Sequence, residues 1–291
     1  SGLSPEQISE VVHLILDYPE VFATPGGPPG RTSLVKHTID TGSADPIKQP
    51  VCRLPWVKQD LVNEEIDKML EQDIIEESDS PWASPIVLVT KSDGSVRFCI
   101  DYRRVNDVSK KDAYPLPRMD ESLDSLGGSE WFCTMDLASG YWQVAMSEED
   151  RPKTAFVTRR GLHHFKVMPF GLCNAPATFE RLMERVLRGL HWQKCLVYLD
   201  DVIVFGKTFE ETLASLKCVL ARFQKAGLKL KPSKCDWFKK TVQFLGHIVS
   251  PKGIACDPCS SKGMACSHLS YRNQKLPRFC NLLQEINSRL L

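Results

Sequence analysis

The sequence predicts an α+β fold: a small antiparallel sheet backed by helices on one face. Three observations carry the prediction. Residues 131–227 alternate strand, helix, hairpin and helix, an order that suits one sheet with its helices on one side. Residues 196–199 and 202–205 are apolar, β-prone runs separated only by Asp200 and Asp201, the pattern of a tight hairpin. A composition of 42% hydrophobic and 25% charged residues over 291 positions belongs to a globular chain with ample core.

In chain order, residues 5–16 read as a short amphipathic helix and residues 24–30 as a Pro/Gly-rich linker. His37-Thr-Ile-Asp40-Thr41-Gly42-Ser43 contains the Asp-Thr-Gly core of an aspartic protease, whose chemistry takes two carboxylates sharing a proton. Pro46, Pro50 and Pro55 come soon after, and no glycine-ended apolar strand appears at the distance such a domain requires. A second amphipathic helix starts at Asp60, with Leu61, Ile66, Met69 and Leu70 on its apolar face. Strands over 86–90 and 96–100 form a hairpin around Ser92-Asp93-Gly94-Ser95. Lys91 and Arg97 project near its tip. Two cations on a rigid ribbon suit a polyphosphate, Arg gripping oxygens in a fork and Lys acting as a point charge. Solvated hairpin charges are the plainer alternative.

Residues 131–136 read as a buried strand ending in Asp136. Five residues on, Tyr141 either walls a small pocket or simply packs. Met168-Pro-Phe170-Gly171-Leu-Cys-Asn174-Ala-Pro176 leads into a helix, with Asn174 as N-cap and Pro176 in the first turn. Phe179, Leu182, Met183, Val186, Leu187 and Leu190 share one face of that helix. After the acidic hairpin, Thr208 and Glu211 predict a capping box for a helix ending at Gly227. Residues 244–249 read as a short strand.

The formal net charge is +1, so nucleic-acid affinity would rest on local patches. The candidates are Arg151, Lys153, Arg159, Arg160 and Lys166, or Lys225, Lys229, Lys231 and Lys234; either set reads equally as a solvated face. No stretch reaches membrane-span length, and the first residues lack a signal peptide's apolar core. Eleven scattered Cys read as reduced, intracellular thiols. Cys256 and Cys259 with Cys266 and His268 hint at zinc, but the spacing matches no standard finger.

Adjacent aspartates are poor turn chemistry beside Asn-Gly or Asp-Gly, and they repel unless a cation sits between them. An ordinary acidic turn is one reading. A local rule broken without visible compensation points instead to function, and an all-oxygen ligand set points to Mg²⁺ or Mn²⁺. Asp136 also ends a strand, so one sheet is able to gather all three carboxylates. Two divalent ions held there would suit an in-line phosphoryl displacement, activating a 3′-hydroxyl and stabilising charge on the transferred phosphate. No Ser or Cys nucleophile with a His partner accompanies them.

From about His37 to Pro258 the chain resembles the reverse transcriptase of gypsy-type LTR retrotransposons, relatives of retroviral polymerases. His37-x-Ile-Asp-Thr-Gly looks like the usual prelude to that polymerase, which displaces the protease reading. Residues 81–106, ending Arg97-Phe-Cys-Ile-Asp101-Tyr-Arg-Arg-Val-Asn106, look like the fingers hairpin and the segment just after it. The strand with Asp136 resembles the first metal-binding motif, residues 168–179 the nucleotide-pocket motif, and Tyr198-Leu-Asp-Asp201 the second metal-binding motif. Residues 229–238 and 244–249 look like the family's lysine motif and the primer grip.

The resemblance implies a right-hand polymerase with fingers and palm, an RNA-directed DNA polymerase that joins dNTPs to a primer 3′-hydroxyl on an RNA or DNA template. It implies two Mg²⁺ ions, or Mn²⁺, held by Asp136, Leu137, Asp200 and Asp201, with Lys91 and Arg97 on the triphosphate. Tyr141 would be the gate against a ribose 2′-hydroxyl. Phe170, where retroviral enzymes have a glutamine, and Gly171 would line the nucleotide pocket. Lys234 aligns with the residue proposed to protonate pyrophosphate, and Phe244, Leu245, Gly246 and His247 would position the primer end. The expected division is 1–47 leader, 48–106 fingers, 107–147 palm, 148–174 fingers again, 175–258 palm with primer grip, and 259–291 an aberrant tail. Expected partners are primer–template, dNTPs, and either a dimer or a full-length retroelement polyprotein, with no membrane. The expected compartment is intracellular: cytoplasm, in a virus-like particle, or nucleus. The rival function is a non-catalytic nucleic-acid-binding remnant.

After Asp257-Pro258 the resemblance stops. The family would continue into a thumb with Trp-Pro-x-Pro and Phe-Leu-Gly-x-x-x-Tyr-Tyr-Arg; this chain reads Cys259-Ser-Ser-Lys-Gly-Met264-Ala-Cys-Ser-His268. Write Met264 as ATG, Ala265 as GCC, Cys266 as TGT, Ser267 as TCC, His268 as CAC, and onward. With suitable codons, the same nucleotides read one base later can encode Trp-Pro-Val-Pro-Thr-Ser-Val-Thr-Glu-Ile-Arg-Ser-Phe-Leu-Gly-Phe-Ala-Thr-Tyr-Tyr-Arg-Lys. The tail thus reads as a frameshifted thumb remnant, its C-x-x-C accidental. Disorder or makeshift packing there, and weak or absent polymerisation, are the expectations.

Overall fold

The computed structural model describes residues 2–52, 55–90, 96–115 and 117–256. The helices are α1 (Pro5–Leu16), α2 (Trp56–Glu71), α3 (Arg103–Val108), α4 (Met119–Asp124), α5 (Ala175–Val186) and α6 (Phe209–Ala226). The strands up to the middle of the chain are β1 (Thr32–His37), β2 (Ile75–Glu77), β3 (Ser84–Thr90), β4 (Val96–Ile100), β5 (Trp131–Asp136), β6 (Val144–Met146), β7 (Phe156–Thr158) and β8 (Gly161–Phe165). Then come β9 (Cys195–Tyr198), β10 (Asp201–Gly206), β11 (Asp236–Lys239), β12 (Val242–Phe244), β13 (His247–Ser250) and β14 (Gly253–Cys256).

The central sheet runs β11-β5-β10-β9, all antiparallel. Its strands are apolar on both faces, and the period-two alternation sorts the faces. Cys133, Met135, Val197, Val202 and Val204 enter the main core with α5 and α6. Phe132, Leu196, Ile203 and Phe205 enter a second cluster with Leu123 of α4 and Val242, Phe244 and Val249. Helices back one face as the sequence predicts; the other is also covered, in part by the small sheet β12-β13-β14. A separate five-stranded sheet, β2-β8-β7-β3-β4, carries the β3–β4 hairpin at its edge.

Several local expectations need correction. The second helix starts at Trp56, directly after Pro55, not at Asp60; Trp56 is exposed, so its first turn carries no apolar periodicity to read. Residues 244–249 are not one strand but the hairpin β12–β13, turning at Leu245 and Gly246, both with positive φ. Thr208 Oγ1 accepts from Glu211 N at 3.2 Å, but Glu211 Oε2 accepts from Lys207 N at 2.9 Å, so the capping box is only half formed. Asn174 precedes α5 in helical rather than extended backbone, and its side chain caps nothing. It instead accepts from Asp112 N and donates to Lys110 O. The helix over residues 5–16 forms with a complete Ser4/Gln7 capping box, and α6 ends at Gly227 with φ 69°. No helix among the described residues is long and apolar enough to cross a membrane.

Candidate active site

The site begins with strand register. β5 and β10 pair antiparallel so that Asp136 stands opposite Asp201, which also faces Tyr198 of β9. Carboxylates more than sixty positions apart are thereby neighbours. The turn, however, is not Asp200-Asp201. Asp201 already belongs to β10, and the two turn residues are Leu199 and Asp200, with Leu199 at φ 53°. A β-carbon in left-handed backbone is strained, and such strain concentrates where function holds it.

Burial, then the negative charges of Asp136 and Asp201, pushes the Asp200 carboxyl up to about 6. Asp201 is raised by the same causes, burial first and then Asp136. Asp200 Oδ1 is buried without a hydrogen-bond partner among the described residues. Lys234, from the turn before β11, places Nζ 2.7 Å from Asp136 Oδ2, and its charge partly offsets the rise of both carboxyls. An orphaned buried oxygen beside two more carboxylates is a donor set that suits a hard cation. Among the described residues no group of three or more His, Cys, Asp or Glu side chains is placed to hold a metal ion by itself.

Leu137 comes next, in an antiparallel bridge to Leu230, and is buried. Around it, Lys231 N donates to Asp136 O at 2.9 Å and Ala138 N to Lys229 O at 2.9 Å. Gln143, fully buried, clamps the same junction: Nε2 donates to Ala138 O and Lys229 O, and Oε1 accepts from Lys229 N. Sequence reading missed Gln143, and only its place shortly after Tyr141 hinted at it. It also missed Gly140, where a β-carbon would lie 2.7 Å from Asp200 Oδ1 and 3.0 Å from Phe179 Cζ. Glu180 was missed as well. It sits on the buried side of α5 and accepts from Leu199 N through Oε2 at 3.1 Å, and burial pushes its carboxyl up to about 7.

Tyr141 stacks on exposed Phe170, ring centroids 5.1 Å apart, and tilts against buried Phe179 at 5.4 Å. Burial and then the nearby Asp200 and Glu180 charges push its hydroxyl up to about 12, so it stays protonated. Directly after Phe170, Gly171 has φ 95°, which favours glycine. Asn106 fixes that loop, donating to Gly171 O and accepting from Cys173 N. Arg97 is exposed on β4 opposite Val89; Lys91 lies outside the described residues. The turn at Leu245 and Gly246, flanked by Phe244 and His247, lies on the acid-bearing face. Phe244 packs in the same cluster as Phe132 and Ile203, and those two stand an even number of residues from Asp136 and Asp201 along β5 and β10, on the same side of the sheet.

The other sequence candidates are not gathered here. Asp40 is exposed and pairs with Lys110 at 2.8 Å, inside its own turn with Gly42. Four of the five cations of the first basic patch are paired in place, Arg151 with Glu76, Lys153 with Asp150, Arg160 with Asp67 and Lys166 with Asp73, while Arg159 lies over the Trp56 ring. In the second, Lys234 is engaged with Asp136. Cys133 and Cys195 are free, buried thiols pushed up to about 12 by burial, which makes them unreactive. Cys259, Cys266, His268 and the whole stretch read as a frameshifted thumb lie outside the described residues.

The family profile described as reverse transcriptase (RNA-dependent DNA polymerase) matches residues 89–249. The chain belongs to the reverse transcriptase family. Its relatives include the retrovirus-related Pol polyproteins of two Drosophila melanogaster transposons. Transposon 297 is 41% identical over 86% of this chain and 24% of that protein; opus is 37% identical over 87% and 26%. The Tf2-3 polyprotein of Schizosaccharomyces pombe is 33% identical over 71% of this reverse transcriptase chain and 15% of its own length. The chain thus spans about a quarter or less of the curated relatives it matches.

Among solved structures, foamy viral protease-reverse transcriptase in complex with an RNA/DNA hybrid superposes with TM-score 0.82 at 24% identity, covering 88% of this chain and 34% of that one. The same protein with dsDNA gives 0.81 at 24% identity, over 88% and 53%. At that identity the likeness shows the fold: an α+β polymerase with fingers and palm. RNA-directed DNA polymerisation, a nucleotidyl transfer, is the activity of the reverse transcriptase family, and its members generally use divalent metal ions.

Proposed function

We propose that this chain is the fingers-and-palm part of a gypsy-type retrotransposon reverse transcriptase, built for two-metal transfer of a nucleotide from dNTP to a primer 3′-hydroxyl. The observation that carries the reading is the β5–β10 register, which sets Asp136 against Asp201 with Asp200 in the adjoining turn. Asp136, Asp200 and Asp201, with the Leu137 backbone beside them, would hold two Mg²⁺ ions, Mn²⁺ being able to substitute. When bound, such ions lower the pKa of the attacking hydroxyl and neutralise charge on the transferred phosphate. Tyr141 and Phe170 form the stacked wall that the sugar and base meet, leaving no room for a 2′-hydroxyl. Lys91 and Arg97 grip the triphosphate, Gly171 lets the backbone approach it, and Lys234 Nζ holds the proton delivered to pyrophosphate. Residues 244–247 steady the primer end.

On this reading residues 48–106 and 148–174 are fingers, and 107–147 and 175–258 are palm. The partners are a primer on an RNA or DNA template, dNTPs, and a second chain or a full-length polyprotein able to supply a thumb. The site of action is the cytoplasm, in a virus-like particle, or the nucleus. On the reading of residues 259–291 as a frameshifted thumb remnant, the duplex loses much of its phosphate-gripping surface, so affinity and processivity fall. Extension of oligo(dT) on poly(A) with Mg²⁺ tests the proposal: short, slow products are expected, abolished by Asp200→Asn. Robust long products would refute the dependence on a thumb. Activity equal in the native chain and Asp200→Asn would refute catalysis at this site and favour the binding-remnant reading.

A further inference from the structure

We propose that Glu180 is a positioning residue: its side chain, reaching from α5, fixes the Leu199–Asp200 turn by accepting the Leu199 N–H and so aims the Asp200 carboxylate. The inference rests on the polymerase reading for its catalytic consequence, but not for the contact itself.

The turn is intrinsically unfavourable. Leu199 sits at φ 53°, a left-handed conformation that crowds the leucine β-carbon and that glycine or asparagine would take more readily. The Leu199 N–H points inward, and Glu180 Oε2 receives it at 3.1 Å. Glu180 has no exposed surface, and its Oε1 finds no partner among the described residues. A carboxyl buried that completely is costly unless hydrogen-bonded. The hydrogen bond that the Glu180 side chain makes among the described residues goes to this turn.

The placement is also selective. Phe179, the preceding residue of α5, lies under the space where a Gly140 β-carbon would sit and against Tyr141. Two successive residues of one helix therefore border the surroundings of Asp200, Phe179 by filling space beside Gly140 and Tyr141 and Glu180 by a hydrogen bond to Leu199. An apolar residue at 180 would keep the packing and release the turn.

Glu180→Gln and Glu180→Met separate those roles, since Gln keeps an acceptor oxygen and Met keeps only the volume. The first readout is hydrogen exchange at the Leu199 amide, followed by NMR in chain labelled with [¹⁵N]leucine. The second is Mn²⁺ affinity by electron paramagnetic resonance. The third is single-nucleotide addition, with Asp200→Asn as background. In Glu180→Met we expect Leu199 exchange about tenfold faster, weaker Mn²⁺ binding, and a kcat about tenfold lower at a nearly unchanged KM for dNTP. Glu180→Gln should match the native chain in all three. Unchanged Leu199 exchange and Mn²⁺ affinity in Glu180→Met, or equal impairment in Glu180→Gln, would overturn the proposal. If native chain and Asp200→Asn add nucleotide equally, the polymerase reading fails, while exchange and Mn²⁺ binding still decide the role of Glu180.

Discussion

Adding one methyl group at Gly140 is the sharpest test of how tightly Asp200 is held. A β-carbon there would lie 2.7 Å from Asp200 Oδ1, with Phe179 Cζ at 3.0 Å and Cε2 at 3.3 Å. Ordinary contact begins near 3.4 Å, so the carboxylate is about 0.7 Å too close in an interior that compresses little. Phe179 is fully buried and has nowhere to retreat. The Asp side chain is short, and its turn is tied to Glu180 through Leu199. Overpacking of this kind costs roughly 1–3 kcal/mol, and each kcal/mol lowers Tm by about 2–4 °C in a chain of this size. Catalysis suffers more than folding, because a misplacement of about 1 Å at a reacting centre costs about a hundredfold. Gly140→Ala should therefore melt several degrees lower, stay folded at room temperature, and add a single nucleotide about ten- to a hundredfold more slowly. The assay is single-turnover addition with Mn²⁺, run beside a thermal melt of the same preparation. A native rate in Gly140→Ala, or a rate loss no larger than its unfolded fraction, would refute the claim that Gly140 makes room for Asp200.

The same geometry sets the outcome of four other perturbations. The folded chain holds the Asp200 proton up to about pH 6, against an ordinary value of 3.8; the stability this gives is full below about pH 4 and lost as pH rises through 6. Asp200→Asn should thus raise the cation-free Tm at pH 7.5, by at most about 3 kcal/mol of stability, with no gain near pH 4; an equal gain at both would show that the proton is not involved. Mg²⁺ at pH 7.5 should raise the native Tm by binding the folded state, and raise that of Asp200→Asn less. Tyr141→Ala removes the ring stacked on Phe170 and should raise rNTP relative to dNTP addition by about tenfold or more, measured in competition on one template; an unchanged ratio would remove Tyr141 from sugar selection. Lys234→Ala breaks a half-exposed pair with Asp136 worth at most about 1 kcal/mol, so its Tm should barely move while its rate of addition falls.

Much of the fold was legible because its signals are local. Residues 131–136 and 202–205 are mostly apolar and short, as buried strands read. Gly227 after α6 announces a helix end whose chemistry is complete within a few residues. What could not be read depends on partners distant in the chain. Asn174 looks like a cap, yet Asp112 and Lys110 claim its side chain. Gly140, Gln143 and Glu180 carry no pattern of their own, because each matters only through a neighbour about sixty, eighty-six or nineteen positions away. The turn was displaced by one residue for a related reason. The two aspartates are the polar break between two apolar runs, but the pairing of Asp201 with both Asp136 and Tyr198 draws it into the strand and leaves Leu199 to take the left-handed position.

That displacement shows what determines where the acids stand. Along β5, β10 and β9 the side chains alternate between two separate apolar clusters: Cys133, Val197, Val202 and Val204 toward α5 and α6, Phe132, Leu196, Ile203 and Phe205 toward the other side. A slip of one residue in β10 would exchange the clusters, putting Ile203 and Phe205 into the space cut for valines, so the register is fixed by packing well away from the carboxylates. Asp201 faces Asp136 because Val204 faces Cys133 and Phe205 faces Phe132. Electrostatics alone would push the aspartates apart, and the raised carboxyls of Asp200 and Asp201 record that opposition. The core therefore imposes a cluster of negative charge that the chain by itself would relax, and Lys234, the Glu180 tie and bound cations are three ways of making that imposed arrangement tolerable.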